Sequence, residues 1–263
     1  MHYRPCTSML EQSCDERGFA MSRSGTMRQL LGRCADFLLP AHCLLCGLFC
    51  GQGQLCAPCR GELPRLQQPC RQCALPAIHS DAGLCGQCLK AAPPWDLALA
   101  ALSYEYPVNR LVHRFKFRRN LACGQFLADE LLHCVQASRD TRPEVIIPVP
   151  LHFTRRILRG FNQAEFLAVE LGWRIGIPVA DTVLLRTRRT RAQSGLDRKA
   201  RRQNLRGAFR CRGLPATRVA LVDDVLTTGT TLSECARALR ASGARQVSVW
   251  VAARVPKPAI PMA

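Results

Sequence analysis

Val219-Ala-Leu-Val-Asp-Asp-Val-Leu-Thr-Thr-Gly-Thr-Thr231 is the stretch whose reading decides the fold. An apolar run of strand type ends in two adjacent carboxylates, Asp223 and Asp224, and a short loop of four threonines and one glycine follows. From Thr231 the residues Leu232, Cys235, Ala236 and Leu239 recur at helical spacing, and Gly243 is placed to close the helix. A strand that runs through an acidic pair and a hydroxyl-rich loop into a helix start has the chemistry of a sugar-phosphate site. Backbone N–H groups at a helix N-terminus converge on a phosphate, and the partial positive charge there favours it. Threonine hydroxyls add donors, and Gly229 can take φ > 0 and let the backbone approach closely. Carboxylates in this position can accept hydrogen bonds from the vicinal hydroxyls of a ribose, and open α/β sheets place ligands beyond the C-terminal ends of their strands. The plainer reading is a strand–turn–helix capped by Asp and Thr, both common turn and N-cap residues. A P-loop is excluded because no Gly-Lys-[Ser/Thr] is present. Too little chain remains after Asp224 for the rest of a receiver domain.

The run resembles the signature of the type I phosphoribosyltransferases: apolar strand, two acids, two apolar residues, then Thr-Thr-Gly-x-Thr. The resemblance implies that Asp223 and Asp224 hold the ribose 2′- and 3′-hydroxyls of phosphoribosyl pyrophosphate (PRPP). It also implies that Thr227, Thr228, Gly229, Thr230 and Thr231 cradle the 5′-phosphate.

A chain of 263 residues holds one ordinary domain and a smaller one. Hydrophobic residues make up 48% and aromatics only 6%, so the core must be mostly aliphatic. The net charge of +18 implies an anionic partner, either a phosphate-rich small molecule or nucleic acid. Residues 186–212 concentrate it, with eleven Lys/Arg against the single acid Asp197. No segment is long and apolar enough to span a bilayer, and the N-terminus lacks the apolar core and cleavage site of a signal peptide. Half of the sixteen cysteines fall in Cys-x-x-Cys pairs, which favours reduced thiols and metal over disulfides and points to the cytoplasm.

Residues 1–26 have no apolar period and are expected to be disordered or an over-extended gene start. Met27–Pro40 reads as a short amphipathic helix ended by proline. Four pairs follow, Cys43/Cys46, Cys56/Cys59, Cys70/Cys73 and Cys85/Cys88. Each pair suits a tight knuckle that offers two thiolates to a tetrahedral ion, so eight cysteines make two four-cysteine sites, a double zinc ribbon over residues 27–92. Iron–sulfur ligation remains a weaker alternative, and spacing does not tell whether pairs join in sequence or cross over. Four protein ligands close each site, so the zinc is structural, replacing a core that so few loop-rich residues cannot build.

Ala91-Ala-Pro-Pro94 reads as a linker into an α/β domain over residues 95–255, with a tail at 256–263. Trp95–Tyr106 is strand-like. Asn109–Phe117 is a basic amphipathic helix with Leu111, Val112 and Phe115 inward and Arg110, Arg114 and Lys116 outward. A helix is expected over 122–136, a buried strand over Glu144–Pro150, a loop over Leu151–Phe161 and a helix over 162–173. Strand 183–185 leads into the basic stretch 186–212, and strand Gln246–Ala252 closes the sheet. In the type I transferase plan the loop after the first core strand meets the pyrophosphate. Here it offers Arg155, Arg156 and Arg159, with Gly160 to allow close approach; their plainer reading is surface arginines. The basic stretch is either a lid over the substrate or a nucleic-acid surface, and its one aromatic, Phe209, offers little for base stacking.

Pro148-Val-Pro-Leu-His152, Arg159-Gly-Phe-Asn-Gln163, Arg186-Thr187 through Gln193, Arg202-x-Asn204 through Phe209, Val222-Asp-Asp-Val-Leu-Thr-Thr-Gly229 and the Pro40-x-x-Cys43-x-x-Cys46-Gly opening together resemble the ComF family of phosphoribosyltransferase-like proteins. The resemblance covers about Met27 to Ala253. It implies a type I phosphoribosyltransferase fold, a parallel sheet flanked by helices, behind the Cys-rich unit. It implies a PRPP- and Mg2+-binding protein associated with natural competence, with Asp223, Asp224 and Arg159 at the reacting centre. It further implies single-stranded DNA and competence or recombination proteins as partners. The acceptor and the oligomeric state stay open, and a non-catalytic PRPP sensor or DNA-binding module is the alternative to an enzyme.

Overall fold

The computed structural model describes residues 41–51, 53–77, 83–138, 140, 142–151, 160–187 and 205–256. The expectations for residues 1–40 lie outside these. Residues 41–263 cluster as one compact unit.

At its centre is a parallel sheet of four strands: β3 (Leu97–Ser103), β4 (Val145–Pro148), β7 (Arg218–Leu226) and β8 (Gln246–Arg254). Their order is β3-β8-β7-β4, which puts the strand with the acidic pair in the interior, bonded to β4 on one side and β8 on the other. Strands buried on both faces read as apolar runs, which is why Val219–Val222 and Val247–Ala253 lack polar alternation apart from Ser248. Val219 and Leu221 feed one core and Ala220 and Val222 the other.

Helices α3 (Val108–Arg118), α4 (Leu121–Ala137) and α5 (Gln163–Ile175) cover the face of Ala220 and Val222. Two of them start on the side chains the sequence supplies for it: Asn120 accepts from the Cys123 N–H and Asn162 from the Ala164 N–H, each at 3.1 Å. The opposite face carries α6 (Thr230–Ala241) and a two-stranded antiparallel hairpin, β5 (Leu184–Arg186) with β6 (Phe209–Cys211). The expected elements are therefore present, and the hairpin forms the stem of the basic stretch, whose centre, 188–204, lies outside the described residues.

The Cys-rich segment contains a strand pair, β1 (Ala41–His42) with β2 (Phe49–Gly51), and two single-turn helices, α1 (Ala57–Gly61) and α2 (Gly86–Lys90). It covers the β3 edge, where the Ala98 N–H donates to the Arg71 carbonyl at 2.7 Å. It is bound to α4 through Glu130, a carboxylate 2% exposed that pairs with Arg60 and Arg65 at 2.8 Å each. The β4 edge is covered in turn by residues 177–180, where Ile146 N–H donates to Pro178 O and Ala180 N–H to Ile146 O, each at 2.9 Å. Both edge strands thus have backbone hydrogen bonds to a neighbouring segment.

Candidate functional site

Asp223 and Asp224 sit near the C-terminal end of β7, and consecutive strand residues face opposite sides of a sheet. Asp224 is buried and meets the Lys116 ammonium at 2.6 Å on the α3 side. Asp223 Oδ1 accepts the Asp224 N–H at 2.9 Å. The thiol of Cys235 on α6 is raised by burial and further by the charge of Asp223. Helical periodicity turns Lys116 and Arg114 outward. Lys116 is half-buried instead, as is Arg114, whose guanidinium donates to the Leu44 carbonyl at 2.5 Å. Both correct the sequence reading for one reason: the flanks of the α3 apolar stripe are covered, by the ribbon on one side and the β7 terminus on the other.

Thr227 and Thr228 are exposed and lead into Gly229, which takes φ +75° and turns the chain into α6. Close packing accompanies the turn, since a Cβ on Gly229 would stand 3.0 Å from Trp95 Cη2. Helix α6 starts at Thr230, one residue earlier than its apolar period, and no side chain caps it. Its first N–H groups therefore have no intrahelical partner. The Thr228 and Thr230 hydroxyls are 2.9 Å apart, and Thr231 is half-buried on the first turn. A cavity of about 400 Å3 adjoins this loop, lined by Thr228, Gly229, Thr230, Trp95 and Arg254 among others. The two aspartates are not in its wall. The structure thus joins the threonine loop to the cavity and sets the carboxylates beside them on the strand.

Arg155, Arg156 and Arg159 lie outside the described residues. Gly160 is described, at φ +72°, and the Arg119 guanidinium fills the space its Cβ would take. Sequence reading missed Arg119, Lys116 and Arg254. Arg254 holds several carbonyls at once. It is buried and donates to Cys73 O at 2.7 Å, Leu226 O at 2.7 Å, Thr227 O at 2.6 Å and Val255 O at 2.9 Å.

The cysteines group in sequence, without crossing over: Cys43, Cys46, Cys56 and Cys59 in one cluster, Cys70, Cys73, Cys85 and Cys88 in the other. Within each, the sulfurs lie within 4.8 Å of one another, with Cys46–Cys56 at 3.7 Å and Cys73–Cys85 at 3.5 Å. A tetrahedron with Zn–S arms of ~2.3 Å has edges of about 3.8 Å, so the donor set fits zinc. Backbone N–H groups favour a thiolate at one position in each cluster, Cys43 and Cys85, while burial and neighbouring thiols push Cys73 up to about 11. Burial raises the Cys43 thiol, but donors at Cys46, Cys56 and Leu45 outweigh it and bring it down to about 6. Cys85 is brought to about 7 in the same way, burial being opposed by the Cys88 N–H and by its neighbouring thiols. The Cys85 N–H itself donates to Cys70 Sγ at 3.2 Å. The first cluster packs against α3 and α4, and the second lies by the threonine loop and the cavity.

Among the described residues no helix is long and apolar enough to cross a membrane. The double zinc ribbon domain family matches residues 34–89. Competence protein F of Haemophilus influenzae is 37% identical over 223 residues, covering 81% of this chain and 96% of that protein. The DNA utilization protein YhgH of Escherichia coli is 36% identical over 224 residues, covering 82% of this chain and 98% of that protein. Among solved structures, orotate phosphoribosyltransferase from Aeropyrum pernix is similar over 52% of this chain and 75% of its own, with 18% identity and a TM-score of 0.33.

Proposed function

The chain belongs to the family of competence protein F and the DNA utilization protein YhgH, and from that premise we propose that it binds PRPP with Mg2+ at the C-terminal edge of its parallel sheet and transfers the phosphoribosyl group to an acceptor. One observation carries this reading. The interior strand carries Asp223 and Asp224 near its C-terminal end and passes through a glycine-turned threonine loop into an uncapped helix of twelve residues. The 5′-phosphate takes the N–H groups and hydroxyls of Thr227–Thr231 as donors. The ribose hydroxyls donate to Asp223 and Asp224. Asp224 has lone pairs for a hydroxyl as well as for Lys116, because a carboxylate accepts up to about four hydrogen bonds.

Arg155, Arg156 and Arg159 are assigned to the pyrophosphate from sequence, with Arg119 beside Gly160 as a further cation. Bound Mg2+, held mainly by substrate oxygens and water, adds neutralising charge. As the C1–O bond breaks, its electron pair leaves with pyrophosphate. The acceptor's lone pair then bonds C1 from the opposite side, and the acceptor loses a proton. Asp224 steadies the ribose as C1 gains positive charge, so its contribution grows towards the transition state. Calorimetric titration with PRPP and Mg2+ tests the site. Asp224→Asn should weaken binding at least tenfold in a folded, zinc-loaded protein, and an unchanged affinity would remove the ribose role.

A second reading, single-stranded DNA binding, is favoured by the exposed face of α3. Arg110, His113 and Phe117 line one stripe, continued by Tyr106 before the helix and Leu121 after it. Tyr106 is 70% exposed, Phe117 58% and Leu121 55%. No acid occurs between Val108 and Arg119. Exposed rings among cations form a stacking platform for bases, a role the single aromatic of 186–212 fills poorly. Polarisation of labelled oligothymidylate separates the terms. Phe117→Ala should weaken binding about tenfold with no change in salt slope, whereas Arg110→Gln should reduce that slope by about 0.7. If neither variant differs from wild type, α3 is not the surface.

A further inference from the structure

A guanidinium has five donors in a rigid planar fork, and burying it costs several kcal/mol unless those donors and its charge are both matched. At Arg254 Nε donates to the Cys73 carbonyl, and Nη1 shares its two N–H groups among the carbonyls of Leu226, Thr227 and Val255. Carbonyls are neutral, and among the described residues no carboxylate pairs with this side chain. The second cysteine cluster lies next to it, since the guanidinium already holds the Cys73 carbonyl. Four thiolates around a divalent ion carry a net charge of −2, so a loaded second cluster supplies the missing counter-charge. Without the ion, the knuckle that carries the Cys73 carbonyl loses the bonds that fix it.

On its other side, Arg254 holds the last carbonyl of β7 and the first of the threonine loop. The backbone reinforces this contact, because the Val255 N–H donates to Leu226 O at 3.0 Å. The side chain therefore joins the knuckle at Cys73 to the start of the proposed phosphate loop, across 181 residues of sequence.

We infer that Arg254 is a positioning residue through which metal at Cys70, Cys73, Cys85 and Cys88 sets the conformation of the Thr227–Thr231 loop, so that phosphate binding at that loop requires the second cluster to be loaded. The inference rests on the PRPP reading for its functional consequence and on the contacts of Arg254 for the coupling itself. Among the described residues the first cluster shows no such bridge, its contacts running to α3 and α4.

Two measurements keep the coupling and the PRPP reading apart. Arg254→Lys retains the charge but not the fork. It should keep both zinc ions and the secondary structure, speed amide hydrogen exchange across 226–231, and weaken PRPP about tenfold. In the wild-type protein, chelator titration should give the same rise in exchange when the second cluster empties, while the amides of β7 before Asp223 stay protected. This arm decides the question if the lysine variant does not fold. Loop exchange that is indifferent to loss of metal from the second cluster overturns the inference. So does a folded Arg254→Lys with wild-type loop exchange and PRPP affinity. Absence of PRPP binding in the zinc-loaded wild type would instead count against the substrate reading, and the exchange data would still decide the coupling.

Discussion

Gly229→Ala tests the loop at its tightest point. Two costs can be worked out. Alanine at φ +75° is in the left-handed region, which costs an L-residue roughly 1–2 kcal/mol. The new Cβ would also stand 3.0 Å from Trp95 Cη2, so the ring must yield by a few tenths of an ångström. Trp95 is poorly placed to yield, being 4% exposed with Nε1 donating to Gln72 O at 2.5 Å. Loosening that hydrogen bond adds about 1 kcal/mol, for a total of about 2–3 kcal/mol. In a unit of this size the loss corresponds to a fall of about 5–10 °C in Tm.

Gly213→Ala is the matched control. It stands at φ +57° with no atom within 4 Å of its added Cβ, so it meets only the conformational cost. Urea unfolding of both variants at saturating zinc should separate them by about 1 kcal/mol, and PRPP titration should show weakened binding in Gly229→Ala alone. Equal destabilisation of the two would show that Trp95 does not press on the loop. A loss below about 0.5 kcal/mol for Gly229→Ala would show that the backbone relaxes out of the left-handed region, and the argument for glycine would fail.

Glu130→Gln should destabilise the protein by about 2 kcal/mol, at the low end for a buried ion pair because Arg60 and Arg65 are about half exposed and can return to water; urea unfolding checks it, with Arg65→Gln expected to cost less than half as much. Glu144 accepts from the backbone N–H groups of Arg218 and Thr217, which hold its pKa below the ordinary carboxylate range. A depressed native pKa contributes stability above the unfolded pKa and loses it as pH falls through the native one. Glu144→Gln should therefore flatten the acid limb of a Tm–pH curve and leave its slope near neutrality unchanged. Metal analysis should find two zinc ions per chain, one for each cluster, and Cys46→Ser should weaken or empty the first cluster while the second stays loaded.

The sequence is most legible where the proposed site is local. The acidic pair, the glycine and the threonines follow one another along the chain, so their chemistry could be read as a string. The same holds for knuckles built on Cys-x-x-Cys, whose pairing in sequence spacing alone did not decide. Contacts between distant segments left no periodic trace. Glu130 looks like any polar residue in a helix until Arg60, seventy residues earlier, reaches it. Lys116 reads as solvated because its position on α3 flanks the apolar face, and only the β7 terminus turns that flank into an interior. Trp95 has the composition of a strand residue, but its ring packs on Gly229 and its Nε1 serves the ribbon, so pairing with β8 starts at Leu97.

The strand order has a consequence for synthesis. Among the described strands β3 pairs with β8 alone, more than 140 residues later, and the ribbon that precedes β3 packs on α3 and α4 and finally on Arg254. A ribosome delivering the chain from its N-terminus therefore releases the metal-binding segment long before the surfaces that cover it. During that interval thiols, an unpaired strand edge and the apolar faces of three helices are exposed together, a condition that favours aggregation. Early zinc capture would hold the first segment in shape, but the sheet can close only after the last strand emerges. Truncation near the C-terminus should for that reason damage the N-terminal ribbon as well as the site, and expression yield should depend steeply on zinc supply during growth.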